Sequence, residues 1–196
     1  MKTIVLATRN NNKIIEIKTL LEGLPLEIRT LNDFPQCPAL IEDGNTFKEN
    51  SLKKAEQVFR FTHLPTLADD SGLEVFYLNG RPGVISARYA RDRASDQENN
   101  KKLLREMKGV APRRRHAQFR AVVTLFSDAI HEQTQGICEG RLGEVPNGTN
   151  GFGYDPLFIP KGFSRTYAQL TAEEKNQISH RAKALEKMKE KLQRLL

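Results

Sequence analysis

Two adjacent carboxylates, Asp69 and Asp70, stand at the end of an apolar run and are followed by Ser71 and Gly72. Like charges this close repel unless something positive offsets them. A hard divalent cation such as Mg2+ does so with oxygen ligands, and it can also bridge to the phosphate oxygens of a nucleotide. The same four residues equally suit a turn or the N-terminus of a helix, where Asp and Ser act as caps. Upstream, Glu42 and Glu49 share a stretch with Lys53 and Lys54, a mixture of metal-liking and phosphate-liking groups. Glu49 has a second explanation as the partner of Thr46 in a capping box; Glu42 has none.

Three further stretches have the residue types of a ligand site. Thr8-Arg9-Asn10-Asn11-Asn12-Lys13 follows a strand-like run and opens a helical pattern. There, unpaired backbone amides and the helix dipole collect phosphate, and Lys13 adds a full charge. Asparagine-rich loops also simply cap helices, and the glycines of a Walker A loop are absent. Gly151-Phe152-Gly153-Tyr154-Asp155-Pro156 combines permissive backbone with two aromatics, so a base could stack there while main-chain groups reach its edge; a strained turn over core aromatics is the other reading. Ser179-His180-Arg181 heads the last helical pattern, with Ser as cap and His and Arg projecting toward whatever faces that helix end, solvent included.

The elements that must position these groups alternate. A strand over Thr3 to Ala7 feeds a helix with Ile14, Ile17, Leu20, Leu21 and Leu24 on one face, and Leu26 to Leu31 reads as a second strand. Thr46 opens a helix that turns Leu52, Ala55, Val58 and Phe59 inward. Pro65 to Ala68 and Leu73 to Leu78 read as two strands on either side of the Asp pair, the second ending at Asn79-Gly80. Ser95 with Glu98 caps a helix carrying Leu103, Leu104 and Met107, which Pro112 stops. Ala117 to Ser127 and Glu132 to Val145 form an expected hairpin about Asp128-Ala129, Leu157 to Ile159 a short strand, and Thr171 with Glu174 a short capped helix. The last helix buries Leu185, Met188, Leu192 and Leu195. One chain-wide domain, residues 1 to 196, with an α/β fold follows.

Bulk properties narrow the class. No apolar run approaches the roughly 20 residues of a membrane helix, and the N-terminal apolar stretch is too short for a signal peptide, so a soluble cytoplasmic protein is expected. Cys37 and Cys138 are far apart and lack metal-ligand spacing, which leaves reduced thiols. The formal charge of +7 is concentrated in residues 101 to 120. That block could attract nucleic acid, or it could be a solvated face. It lacks interleaved aromatics apart from Phe119, and no nucleic-acid partner is expected.

Taken in order, A-T-R-N-N-N-K at 7 to 13, T-F-K-E-N-S-L-K-K-A at 46 to 55, A-D-D-S-G-L at 68 to 73, P-G-V-I-S-A-R-Y at 82 to 89, G-F-G-Y-D-P at 151 to 156 and E-E-K-N-Q-I-S-H-R at 173 to 181 resemble the inosine triphosphate pyrophosphatase family in its bacterial form. The resemblance runs nearly end to end. It implies an elongated mixed β-sheet with flanking helices, two lobes around a central nucleotide-binding cleft, and a homodimer. It implies Mg2+-dependent hydrolysis of ITP, dITP and XTP to monophosphate and pyrophosphate. Thr8, Asn10, Lys13, Lys54 and Ser71 would then hold the triphosphate, with Asn11 and Asn12 in the same loop and Arg9 as a contingent contact. Glu42, Asp70 and Glu49 would serve the metal, and Asp70, supported by Asp69, the attacking water. Phe152, Gly153, Tyr154, Asp155, Lys175, His180 and Arg181 would enclose the base. Arg9 and Asn12 replace two glycines usual in the family's first loop. A related pyrophosphatase acting on modified pyrimidines is the alternative within the same fold.

Overall fold

The computed structural model describes residues 2 to 193. Its elements run β1 (Lys2–Leu6), α1 (Asn11–Leu20), β2 (Leu26–Thr30), α2 (Phe47–Thr62), β3 (Thr66–Val75), α3 (Asp96–Glu106), β4 (His116–Ser127), β5 (Ile130–Leu142), β6 (Phe158–Pro160), α4 (Ala172–Ile178) and α5 (His180–Gln193), with short 3-10 turns between. The strands form one six-stranded sheet in the order β2-β1-β3-β4-β5-β6. It is mixed: β1 is parallel to β2 and β3, whereas β6 is antiparallel to β5. Helices flank the sheet, as expected for this α/β class. Among the described residues no helix is long and apolar enough to cross a membrane.

The chain divides into two compact units. The first takes in the described parts of Met1–Asp70, Ala121–Gly136 and Arg181–Leu196; the second is Ser71–Arg120 with Ile137–His180. In the first unit, strand alternation sorts the core. Ile4, Leu6 and Leu67 pack with Ile17 of α1, Leu21 just past its end, and Leu185, Met188 and Leu192 of α5. Val5, Ala7 and Ala68, one residue out of phase, pack instead with Ala55 and Val58 of α2. Successive strand residues point to opposite faces, so α1 and α5 cover one face and α2 the other. In the second unit Leu73, Val75, Leu103, Met107, Phe119, Leu142, Phe158 and Tyr167 form a single cluster. Each fully buried aliphatic side chain of this kind contributes about 1.5–3 kcal/mol.

Several expectations change. The two strands expected around the Asp pair are one continuous strand, β3, so Asp69 and Asp70 lie inside a strand rather than at its end. Almost every β3 position is buried, and Asp69 and Asp70 each have a cationic partner there, which removes the reason for the chain to turn. Phe76 to Leu78, expected as strand, is a 3-10 turn capped by Asn79 in the left-handed region. Helix α1 stops at Leu20, before Leu24. Leu195 lies outside the described residues.

The basic block is not uniformly solvated. Arg115 is 4% exposed, and its guanidinium donates to the carbonyls of Leu142 at 3.0 Å, Met107 at 2.9 Å and Gly143 at 2.7 Å. Arg120 pairs with Glu74, and Lys102 donates to the Tyr89 carbonyl. Arg115→Ala leaves three carbonyls without that donor and is expected to cost about 2–4 kcal/mol, read as a lower urea midpoint at unchanged m-value, whereas Arg113→Ala stays within about 0.5 kcal/mol.

Candidate active site

The first loop and α1 are built to aim a lysine. Thr8 Oγ1 accepts from the Asn10 amide at 3.1 Å, and Asn10 caps the helix by accepting from the Lys13 amide at 3.1 Å. Lys13 Nζ then sits 2.7 Å from Asp69 Oδ2. Asn11 and Asn12 are exposed in the first turn. Arg9, though exposed, donates to the Leu31 carbonyl at 2.8 Å and the Cys37 carbonyl at 3.0 Å, tying the loop to the segment after β2.

Asp69 faces α1 and α5, as the alternation of β3 requires. Its second cation is Arg181, whose Nη2 lies 3.3 Å from Asp69 Oδ2 and whose Nη1 donates to the Glu16 carboxylate. Both the Arg181 and the Asp69 side chains are 1% exposed. Burial by itself would raise the Asp69 pKa, but the charges of Arg181 and then Lys13 overcome it and hold the carboxyl far below the usual range. The same pairing raises Arg181 against its own desolvation. Glu16 was not anticipated from sequence, although its place three residues after Lys13 on one helix face was a usable signal.

Asp70 faces α2. Lys54, buried, donates to Asp70 Oδ1 at 2.7 Å, to the Asp69 carbonyl at 2.8 Å and to Glu42 Oε2 at 3.2 Å. One ammonium therefore serves two carboxylates. Asp70 Oδ2 is buried and receives no donor among the described residues. Burial pushes the Asp70 pKa up, and Lys54 does not cancel that; Glu42 goes down because Lys54 outweighs its desolvation. Lys54 itself rises, since Asp70 and Glu42 overcome the effect of burial.

This donor set fits a hard divalent cation. Asp70 Oδ2 and Glu42 offer oxygen ligands with an excess negative charge, suited to Mg2+, which typically takes one or two carboxylates and completes its shell with water and phosphate. Among the described residues no group of three or more His, Cys, Asp or Glu forms a fuller cage. Glu49 is exposed, and its Oε2 accepts from the Asn45 amide at 2.7 Å while Thr46 caps α2, a variant of the expected capping box.

The second unit gathers most of the residues expected around a base. Asp155 Oδ2 accepts from Lys175 Nζ at 2.6 Å and from the Phe152 amide at 2.9 Å. A Cβ on Gly151 would stand 2.0 Å from that oxygen, and Gly151 has φ +73°, so glycine is required for the carboxylate to close on the loop. Lys175 Nζ lies 5.0 Å from the Phe152 ring centroid and 5.4 Å from that of Tyr167. Tyr154 is anchored through its hydroxyl, which donates to the Ser86 carbonyl at 2.9 Å, and burial raises its pKa. The His180 ring stacks on Phe119 at 4.7 Å, 12° from parallel. Helix α3 fixes the loop from below: the Gly153 amide donates to Asp96 at 2.6 Å, and Asn100 donates to the Gly153 carbonyl at 2.9 Å. Asp96, Asn100, Phe119 and Tyr167 were not anticipated; their partners are too distant in sequence to pair by pattern. Ser71 opens the second unit's share of β3, half-buried.

Comparison with known proteins is consistent along the whole chain. The Ham1 family model matches residues 4–191. A dITP/XTP pyrophosphatase of Geobacter sulfurreducens is 48% identical, with 98% of this chain and 97% of the relative covered. One from Bacillus subtilis is 42% identical, with 98% of each covered. The structure of a HAM1 protein from Coxiella burnetii matches with a TM-score of 0.90 at 40% identity, covering 99% of this chain and 100% of that one.

Removing Arg181 leaves a buried carboxylate with one cation in place of two. Arg181→Ala is expected to cost about 3–5 kcal/mol of stability at neutral pH. Because the folded Asp69 pKa is depressed, the stability it contributes is present above the unfolded value of 3.8 and is lost as pH falls below it. Urea unfolding at neutral pH and at about pH 3 should therefore show the deficit of the variant narrowing in acid.

Proposed function

The chain belongs to the Ham1 family, and from that premise we propose that it hydrolyses the deaminated purine nucleoside triphosphates ITP, dITP and XTP to the monophosphate and pyrophosphate, clearing them from the nucleotide pool. The observation that carries the chemistry is the Glu42-Lys54-Asp70 cluster, in which one buried ammonium serves the buried Asp70 and the half-buried Glu42, and a buried Asp70 oxygen receives no donor among the described residues.

In this reading Glu42 and Asp70 hold Mg2+, which when bound would neutralise charge on the phosphates and polarise the reacting anhydride. Lys13 and Lys54 supply fixed positive charge to the triphosphate, together with the amides at the start of α1. Asp70 positions the attacking water and accepts its proton. Thr8, Asn10 and Ser71 complete the phosphate contacts, while Arg9 keeps the loop in place through its backbone bonds. Asp69, Arg181 and Glu16 act as positioning residues that fix Lys13 beside β3. Glu49 shapes the start of α2. Lys175, His180 and the Phe152 to Asp155 loop receive the base, and a donor such as Lys175 suits a 6-oxo acceptor, whereas a 6-amino group would meet it donor to donor. The chain works as one catalytic domain in a cytoplasmic homodimer, an assembly state that sedimentation equilibrium measures.

Pyrophosphate release from ITP, dITP, XTP, ATP, GTP and dTTP, with and without Mg2+, tests the reading. Activity is expected only with Mg2+ and largely on the first three, and inactivity of folded wild type on all six would overturn it. Asp70→Asn is expected to lower kcat by about 100-fold or more. Lys175→Met should reduce the preference for ITP over ATP by about 10- to 100-fold, seen in the ratio of kcat/KM.

A further inference from the structure

The second unit carries a cavity of about 680 Å³ made of residues that the proposed reaction does not use. Its walls include Phe76, Tyr77 and Phe163, which are 55%, 40% and 36% exposed, unusual for rings of this size. Cationic groups from separate elements surround them: Arg114 from the basic block, Arg141 from β5 and Lys161 after β6. The Arg114 guanidinium already lies 4.6 Å from the Tyr77 ring centroid. The cavity's one carboxylate, Glu139, is paired with Lys161 at 3.2 Å, and among the described residues Arg114 and Arg141 have no carboxylate within salt-bridge distance. The floor is rigid: Gly140 and Arg141 of β5 pair with Pro160 and Ile159 of β6.

We propose that this cavity is a second ligand site, taking a mononucleotide whose ring packs against Tyr77 and Phe76 while its phosphate is held by Arg114 and Arg141. The volume is of the size that holds a small organic ligand. Exposed aromatic faces favour a planar ring, and the excess of arginine over carboxylate favours an anion; guanidinium groups bind phosphate in bidentate fashion. A neutral aromatic would leave the arginines unused, and a bare phosphate would leave the rings exposed, so the two features together select a ligand that has both. Nothing in this site depends on the reaction proposed above. It also gives a function to part of the basic block that the reaction leaves aside, Arg114 in particular.

Calorimetric titration of the full chain, without divalent cation, with AMP, adenosine and inorganic phosphate tests the site in wild type, Tyr77→Ala and Arg141→Glu. AMP is expected to bind with Kd below about 1 mM, adenosine and phosphate at least about tenfold more weakly, and each substitution to weaken AMP about tenfold. Both positions are exposed, so the variants keep their fold, and ITP turnover is expected to stay within about twofold of wild type. AMP binding that persists undiminished in both variants, or no binding by folded wild type up to about 10 mM, would overturn the proposal. So would variants that become monomeric while AMP binding is unaltered, since the face would then belong to a second copy of the chain. Loss of ITP activity in wild type would count against the proposed reaction alone.

Discussion

A carboxylate taken wholly out of water is tolerated only with strong compensation, and Asp69 receives it from Lys13 and Arg181 together. That ion triad joins the start of α1, the middle of β3 and the first turn of α5, three segments far apart in the chain. Glu16 absorbs the remaining charge of Arg181. The consequence is geometric: with Asp69 fixed from one side, β3 continues through Asp69-Asp70-Ser71-Gly72, and the next residue must face the other way. Asp70 thus reaches α2 because Asp69 is held against α1 and α5.

The two neighbouring carboxylates end in opposite electrostatic states. Asp69 has more positive charge than it needs and stays ionised far into acid. Asp70 shares Lys54 with Glu42 and is left short, so it holds a proton more readily than an ordinary aspartate. Strand alternation is what allows such different environments at adjacent positions. A rigid, over-compensated side chain next to an under-compensated one is a suitable arrangement for chemistry, since the first fixes geometry and the second reserves unmet demand for a ligand's charge.

Much of the fold was legible because periodicity and capping are local. Thr171 with Glu174 and Ser95 with Glu98 cap α4 and α3 as their spacing indicates, and the Asp128-Ala129 turn joins β4 to β5. The exceptions share one cause. Asp-Asp-Ser-Gly reads as a turn when only neighbours are considered, but partners 56 and 112 residues away in sequence make it strand. Arg115 reads as one of three surface arginines, yet carbonyls of Met107, Leu142 and Gly143 bury it. The candidate site follows the same rule: Asp70, Lys54 and Glu42 were visible as residue types, whereas the burial that distinguishes Asp69 from Asp70 depends on which face each occupies.

The net charge of +7 takes on a more specific meaning once the block is divided by what its members touch. Arg115 is spent on carbonyls, Arg120 on Glu74 and Lys102 on Tyr89, so these three hold the second unit together. Lys101, Arg105, Lys108, Arg113 and Arg114 are exposed and contribute to the field rather than to the core. A field of that sign raises the local concentration of any polyanion, and a nucleoside triphosphate is one of the most highly charged small molecules a protein meets. Long-range attraction of this kind acts on encounter rate and weakens with salt over about 8–10 Å, while the partly buried Lys13 and the buried Lys54 act at contact and are screened less. The two sets of cations therefore divide capture from positioning, and an exposed arginine can be exchanged at little cost to the structure while Lys13 and Lys54, each paired with a buried aspartate, cannot.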